Sequence, residues 1–202
     1  MDARKFIKPA KVILVAAMLM WNCAFGCSTV IGLLNDAKIS VDGVLPIVEL
    51  ADPAIAPAVQ VGVTAFDNGV IAADDYYNAY EAALKAGSGT ATTEQKLADA
   101  LAALRTTSAQ ILAAAQVKDP AHMTLIQDIM SAVSSEILNV ANLFVPVSTT
   151  ASANVRVTTA QNTDKALKAE RTAFRAKMKS ILSRTTGDAA LDANIHALAK
   201  KY

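Results

Sequence analysis

With two histidines and two cysteines, the chain is short of the imidazole and thiolate ligands that metal centres take in sets of three or four. It contains no Gly-x-Ser-x-Gly elbow, no phosphate-binding loop and no Gly-rich dinucleotide turn. Aromatic residues make up only 5 %, which leaves no interleaved set for stacking on nucleobases. The net charge is +1, too small for a whole-molecule field that recruits nucleic acid. These absences predict no enzyme, no catalytic residues, no metal, no cofactor and no nucleic-acid partner.

What the chain does have is alanine, and 53 % hydrophobic residues over a length of 202. That length supports one good core with an appendage, and the composition favours helices packed closely through small side chains. Charge is unevenly placed. From Asp36 to Glu136 there are thirteen acids against five bases, and from Asp164 to Arg184 seven bases against two acids. An acidic body with a basic tail is expected.

The amino terminus places Arg4, Lys5, Lys8 and Lys11 before the uncharged run "VILVAAMLMW", followed by a short patch of polar and small residues. This is the order of a secretory signal peptide. Ala24 and Gly26 put small residues at the minus-three and minus-one positions of a cut before Cys27. The stretch "AFGC", residues 24–27, resembles the lipobox of bacterial lipoprotein signals, with Phe25 standing where a small residue is usual. That resemblance implies loss of residues 1–26 and lipidation of Cys27. The Ala-rich mature part is similar to small helical envelope lipoproteins. The alternative is an uncleaved signal anchor, because the apolar run reads onward to Leu34, about 23 residues and enough to span a bilayer. Either reading puts the remainder outside the cytoplasm; plain secretion is the third possibility. A disulfide between Cys23 and Cys27, four apart on a helix, is geometrically strained.

The body is read as helices. Val30, Leu33, Ala37, Val41, Val44 and Val48 recur at helical steps, interrupted by Gly43 and Pro46. Asp52-Pro53 or Pro57 opens a long helix whose seam runs from Ile55 through Val59, Gly62, Phe66, Val70, Ala73, Tyr77 and Tyr80 to Leu84, at near-heptad spacing. "GSG" at 87–89 ends it. Thr92 and Gln95 suggest a capping box for a helix with the stripe Leu97, Leu101, Leu104, Ser108, Ile111 and Ala115. Asp119-Pro120 caps a third long helix bearing Met123, Ile126, Met130, Val133, Ile137, Val140 and Phe144. Residues 146–162, rich in Ser and Thr, read as a linker. A basic helix follows with Leu167, Phe174, Met178 and Ile181 on its stripe, then Gly187 as a C′ residue and a short helix carrying Leu191, Ile195, Leu198 and Tyr202.

Three groups bear chemistry. Asp74, Asn78 and Glu81 share a helix face, but no Glu-x-x-His pair accompanies them, and Glu81 has Lys85 four residues on; a solvated face is the expectation. Tyr77 and Tyr80 continue the apolar seam with their hydroxyls reaching water. His122 and His196 each have an acid nearby, Asp119 and Asp192, and two ligands do not make a site. The basic helix offers an anionic surface a partner or simply faces solvent.

The whole reads as an all-α, elongated antiparallel helical bundle of about four helices over residues 27–145, with a basic C-terminal helical extension at 163–202. The expected role is structural or interaction-based, in the cell envelope outside the cytoplasm. The chain would be held to a membrane by a lipid on Cys27 or by an N-terminal helix, with helix seams open to a protein partner or to self-association. The competing expectation is a binding module with an apolar or amphipathic ligand between its long helices.

Overall fold

A computed structural model describes residues 29–144, 153–184 and 186–202, with side chains from 165 onward in the stretch that begins at 153. Cys23, Cys27 and the whole amino-terminal signal lie outside the described residues. Among those described, the chain is helical with no strand: α1 spans 29–42, α2 Val44–Ala51, α3 Ala56–Lys85, α4 Ala91–Ala114, α5 Pro120–Leu143, α6 Ala153–Leu182 and α7 Ala189–Ala199. None of these helices is long and apolar enough to cross a membrane. The protein is an all-α helical bundle.

The first helix is the most enclosed. Val30, Leu33, Leu34, Ala37 and Val41 are all at most 1 % exposed, and of residues 29–41 only Asn35 is exposed. The apolar residues up to Leu34 that a membrane anchor would place in lipid are therefore part of the protein core. Gly43 ends α1 where expected, its N–H reaching the carbonyl of Ile39 at 3.2 Å. A side chain at Gly43 would collide with Leu198 of α7, so this break is also a packing site. Pro46 sits in the first turn of α2, where its missing N–H has no helical partner to lose.

Helices α3 and α4 form an antiparallel hairpin. Of the two possible starts for α3, the chain uses the second, with Pro57 in the first turn. Its end is a Schellman motif: Gly87 adopts φ +65°, the Ser88 N–H donates to Ala83 O at 3.0 Å and the Gly87 N–H to Leu84 O at 3.1 Å, which satisfies two terminal carbonyls. The capping box expected at Thr92 is displaced. Helix α4 begins at Ala91, flanked by Thr90, whose hydroxyl donates to Glu94 at 2.6 Å. Alanine is a better helix former than threonine, and Glu94 lies in the first turn near the positive end of the dipole. The expected stripe from Leu97 to Ala115 is buried throughout. A Cβ on Gly62 would lie 2.7 Å from Ile111, and one on Gly69 2.7 Å from Leu104. The two helices thus meet with large side chains of α4 seated on bare backbone of α3.

Helix α5 starts as its sequence predicts, with the Asp119 carboxylate accepting from the His122 N–H at 2.9 Å. It buries a second face as well, Leu125, Ile129, Ala132 and Glu136, because it has α4 on one side and α6 on the other. Of the residues read as a linker, 146–162, those from Ala153 onward are helical, consistent with their Ala content and the absence of Gly and Pro between Pro146 and Gly187. Residues 145–152 lie outside the described set. Gly187 is also not the C′ residue of α6, which ends five residues earlier; it takes φ +85° to turn the chain into Asp188, which caps α7 by accepting from the N–H groups of Ala190 and Leu191.

Candidate functional site

The polar groups gather where α1, α5, α6 and α7 meet. Asp36 of α1 is 1 % exposed, and an isolated carboxylate there would be costly. Two arginines one helical turn apart on α6 resolve this. Arg171 Nε donates to Asp36 Oδ2 at 2.8 Å, and Arg175 donates through Nε to Oδ2 at 2.8 Å and through Nη2 to Oδ1 at 2.9 Å. Burial pushes the Asp36 carboxyl up, and the hydrogen bonds from Arg175 and Arg171 outweigh it, holding the group below its ordinary value. Gly32, one turn before Asp36, has no Cβ where the Arg171 guanidinium lies; a larger residue would displace the cation from its partner.

Tyr202, just after α7, closes the same region. The hydroxyls of Ser40 and Tyr202 converge on the backbone carbonyl of Asp36 at 2.9 and 3.1 Å. The Tyr202 ring meets Phe174 edge-on, with centroids 6.3 Å apart. Burial raises the Tyr202 hydroxyl to about 12.

Beside this satisfied group stands an unsatisfied one. Glu136 of α5 is 5 % exposed and its Oε1 has no hydrogen-bond partner. Burial first, then the charges of Glu170 and Asp36, push its carboxyl up to about 7 against the opposing pull of Lys177. Glu170 itself accepts from Asn139 at 3.0 Å. The cluster therefore contains one ionised acid held by two arginines and one acid that keeps its proton until the pH approaches about 7.

The residues singled out in the sequence do not converge on it. On α3, Tyr77 donates to Glu81 at 2.9 Å instead of reaching water, and Lys85 pairs with Glu81 at 3.2 Å as its spacing predicts. The face is thus not simply solvated. Asp74 is half-buried, its Oδ1 lacks a partner, and burial together with Asp75 raises it to about 6. His122 is buried and bound through Nδ1 to its own cap residue Asp119 at 2.5 Å, with Nε2 unpartnered. Asp192 instead accepts from the Thr186 backbone and hydroxyl at 2.8 and 2.9 Å, bracing the turn before α7. Among the described residues no three His, Cys, Asp or Glu side chains come together as a metal site.

Between α3 and α4 lies a recess of about 300 Å³, open to solvent, with Gly69, Ala72, Ala100 and Ala103 as its floor and Tyr76, Lys96 and Asp99 at its rim. Lys96 lies 5.9 Å from the centre of the Tyr76 ring. The buried cluster was not readable beforehand, because Asp36, Glu136 and the arginines are 35 to 139 residues apart and follow no motif. The one available signal was an acid at a helical position whose neighbours Leu33, Ala37 and Ser40 all point inward. Comparison with protein-family models, with curated proteins and with solved structures finds no match to this chain.

Proposed function

We propose that this protein is an exported, membrane-anchored helical protein of a bacterial envelope, attached through a lipid on Cys27, with a structural or protein-interaction role. The observation that carries the reading is the order of the amino terminus: four bases, an uncharged apolar run, then "AFGC". The fold is compatible with a cut at that point. Val30, Leu33 and Leu34 are engaged in the protein core, which favours a boundary before them over an anchor that continues to Leu34. The polar cluster supports a structural role, since Asp36, both arginines, Ser40 and Tyr202 satisfy one another and hold α6 and α7 against α1. The filled seam at Gly62 and Gly69 favours close helix packing over a ligand chamber at that contact.

Intact mass of the protein extracted from membranes tests the proposal. Loss of residues 1–26 with added diacylglycerol and acyl mass on Cys27 is the expected result. An unprocessed chain in the membrane would establish the signal anchor in its place, and an unmodified mature Cys27 would establish secretion.

A further inference from the structure

The two charge populations of the sequence belong to separate helical hairpins of the folded molecule. Helices α3 and α4 hold six acids against three bases, and residues 165–202 hold nine bases against three acids. Helix α4 packs on α5, and α5 in turn on α6, so the acidic hairpin and the basic hairpin flank a shared centre. Several of the nine bases are engaged: Arg171 and Arg175 hold Asp36, Arg184 pairs with Asp128, and Lys177 faces Glu136. Lys165, Lys179, Lys200 and Lys201 are exposed.

Lys165 and Lys179 share one edge of α6, and Lys200 and Lys201 follow directly on α7. Positions 165, 168, 172, 175 and 179 follow one side of α6 at steps of three and four. Helix α7 folds back along α6 until Tyr202 meets Phe174, which brings Lys200 and Lys201 level with Arg175. Gly32 lies against Arg171, and Asp36 lies between Arg171 and Arg175, so α1 and α6 run in the same direction. Thr29, two residues after Cys27 in the sequence, therefore lies toward the Lys165 end of that edge.

We propose that the basic edge of α6 and α7 seats the bundle on anionic lipid headgroups around the point where the chain leaves α1 toward Cys27. The inference rests on the tether proposed above. A tether keeps the edge at high local concentration near the bilayer, so weak attraction per lysine suffices to orient the molecule. The acidic α3–α4 hairpin, with its open recess, then faces away from the membrane and is the side presented to a partner.

The test uses the full chain extracted from membranes and returned to vesicles of phosphatidylcholine, with or without phosphatidylglycerol. Lysines are acylated with a water-soluble reagent and read by mass spectrometry. Lys165, Lys179, Lys200 and Lys201 are expected to react about fivefold more slowly on the anionic vesicles, with Lys96 and Lys118 unchanged. The difference disappears at about 1 M salt, where the Debye length is about 3 Å. Equal reaction on both vesicles overturns the proposal. So does slowing in lipid-free detergent that grows with protein concentration, which assigns the edge to the acidic face of a second copy. A K179Q/K200Q/K201Q variant, checked for unchanged helicity, is expected to lose the protection at Lys165; full protection in it overturns the proposal as well. The tether has its own readout: a tethered chain stays on phosphatidylcholine vesicles in high salt whatever the edge does. A chain that salt washes off them, but that is protected on anionic vesicles, refutes the tether alone.

Discussion

At the scale of single residues, Asp36 and Glu136 are two buried acids with opposite effects on stability. Asp36→Asn removes the negative charge that Arg171 and Arg175 share and turns one of its two acceptor oxygens into an NH2 donor facing the guanidinium groups. Because both arginines are about one-third exposed, the loss is expected below the roughly 3–5 kcal/mol of a fully buried pair, at about 2–3 kcal/mol, read as a fall in the urea midpoint at unchanged slope. Glu136 governs the pH profile. Between its ordinary value of 4.5 and its folded value of about 7, the folded chain retains a proton that the unfolded chain has released, so stability falls as pH rises through that window. Asp74, raised from 3.8 to about 6, adds the same sign. Asp36 works the other way: its folded value is below 3.8, so its contribution is intact above 3.8 and lost as pH falls through that lower value. Urea midpoints are therefore expected to peak at about pH 4–5, and E136Q to remove much of the decline between pH 5 and 8. A profile in E136Q that matches the parent would show that Glu136 is not the titrating group.

At the scale of elements, the same substitution separates two uses of glycine. Gly62→Ala puts a Cβ 2.7 Å from Ile111. The resulting overpacking of about 1–3 kcal/mol exceeds the gain of about 1 kcal/mol in helix propensity, so the variant loses stability, and I111A, which removes the Cγ1 that the new methyl meets, costs less in that background than in the parent. Gly87→Ala meets no neighbouring atom but must adopt φ +65°, which costs about 1 kcal/mol and is not relieved by any neighbour. Thermal unfolding of G62A, I111A, their double variant and G87A checks both claims. Periodicity made the stripes of α3, α4 and α5 readable, because one buried face repeats at fixed steps. It concealed the second face of α5, since Leu125, Ile129 and Ala132 read as ordinary apolar scatter until α6 is seen to cover them. Glu136 within that face reads as surface for the same reason. The helical start at Ala153 was hidden by Thr, Val and Asn, whose weak propensity resembles that of a loop. Where the arginines point was beyond a sequence reading, because the acid that holds them is contributed by α1.

At the scale of the molecule, the basic segment behaves as part of the bundle more than as an appendage. Leu167, Phe174, Met178, Ile181 and Leu182 of α6 and Leu191, Ile195 and Leu198 of α7 are all buried. Their partners include the most enclosed helix, through Asp36 and Ser40, and the α1–α2 break, through Gly43. Removing α6 and α7 would therefore uncover Asp36 and one flank of α1, and the remaining helices would lose much of their stability. One cooperative unfolding unit is the expected consequence. Hydrogen exchange under increasing denaturant should converge on a single opening free energy for amides in α3, α4, α6 and α7. Leu198→Asp, which inserts a charge against Gly43, should lower all of them together. If instead α6 and α7 open at lower denaturant while α3 and α4 hold, the C-terminal helices are a separate unit that docks reversibly. In that case the arginine pair on Asp36 is a clasp that opens, not a fixed strut.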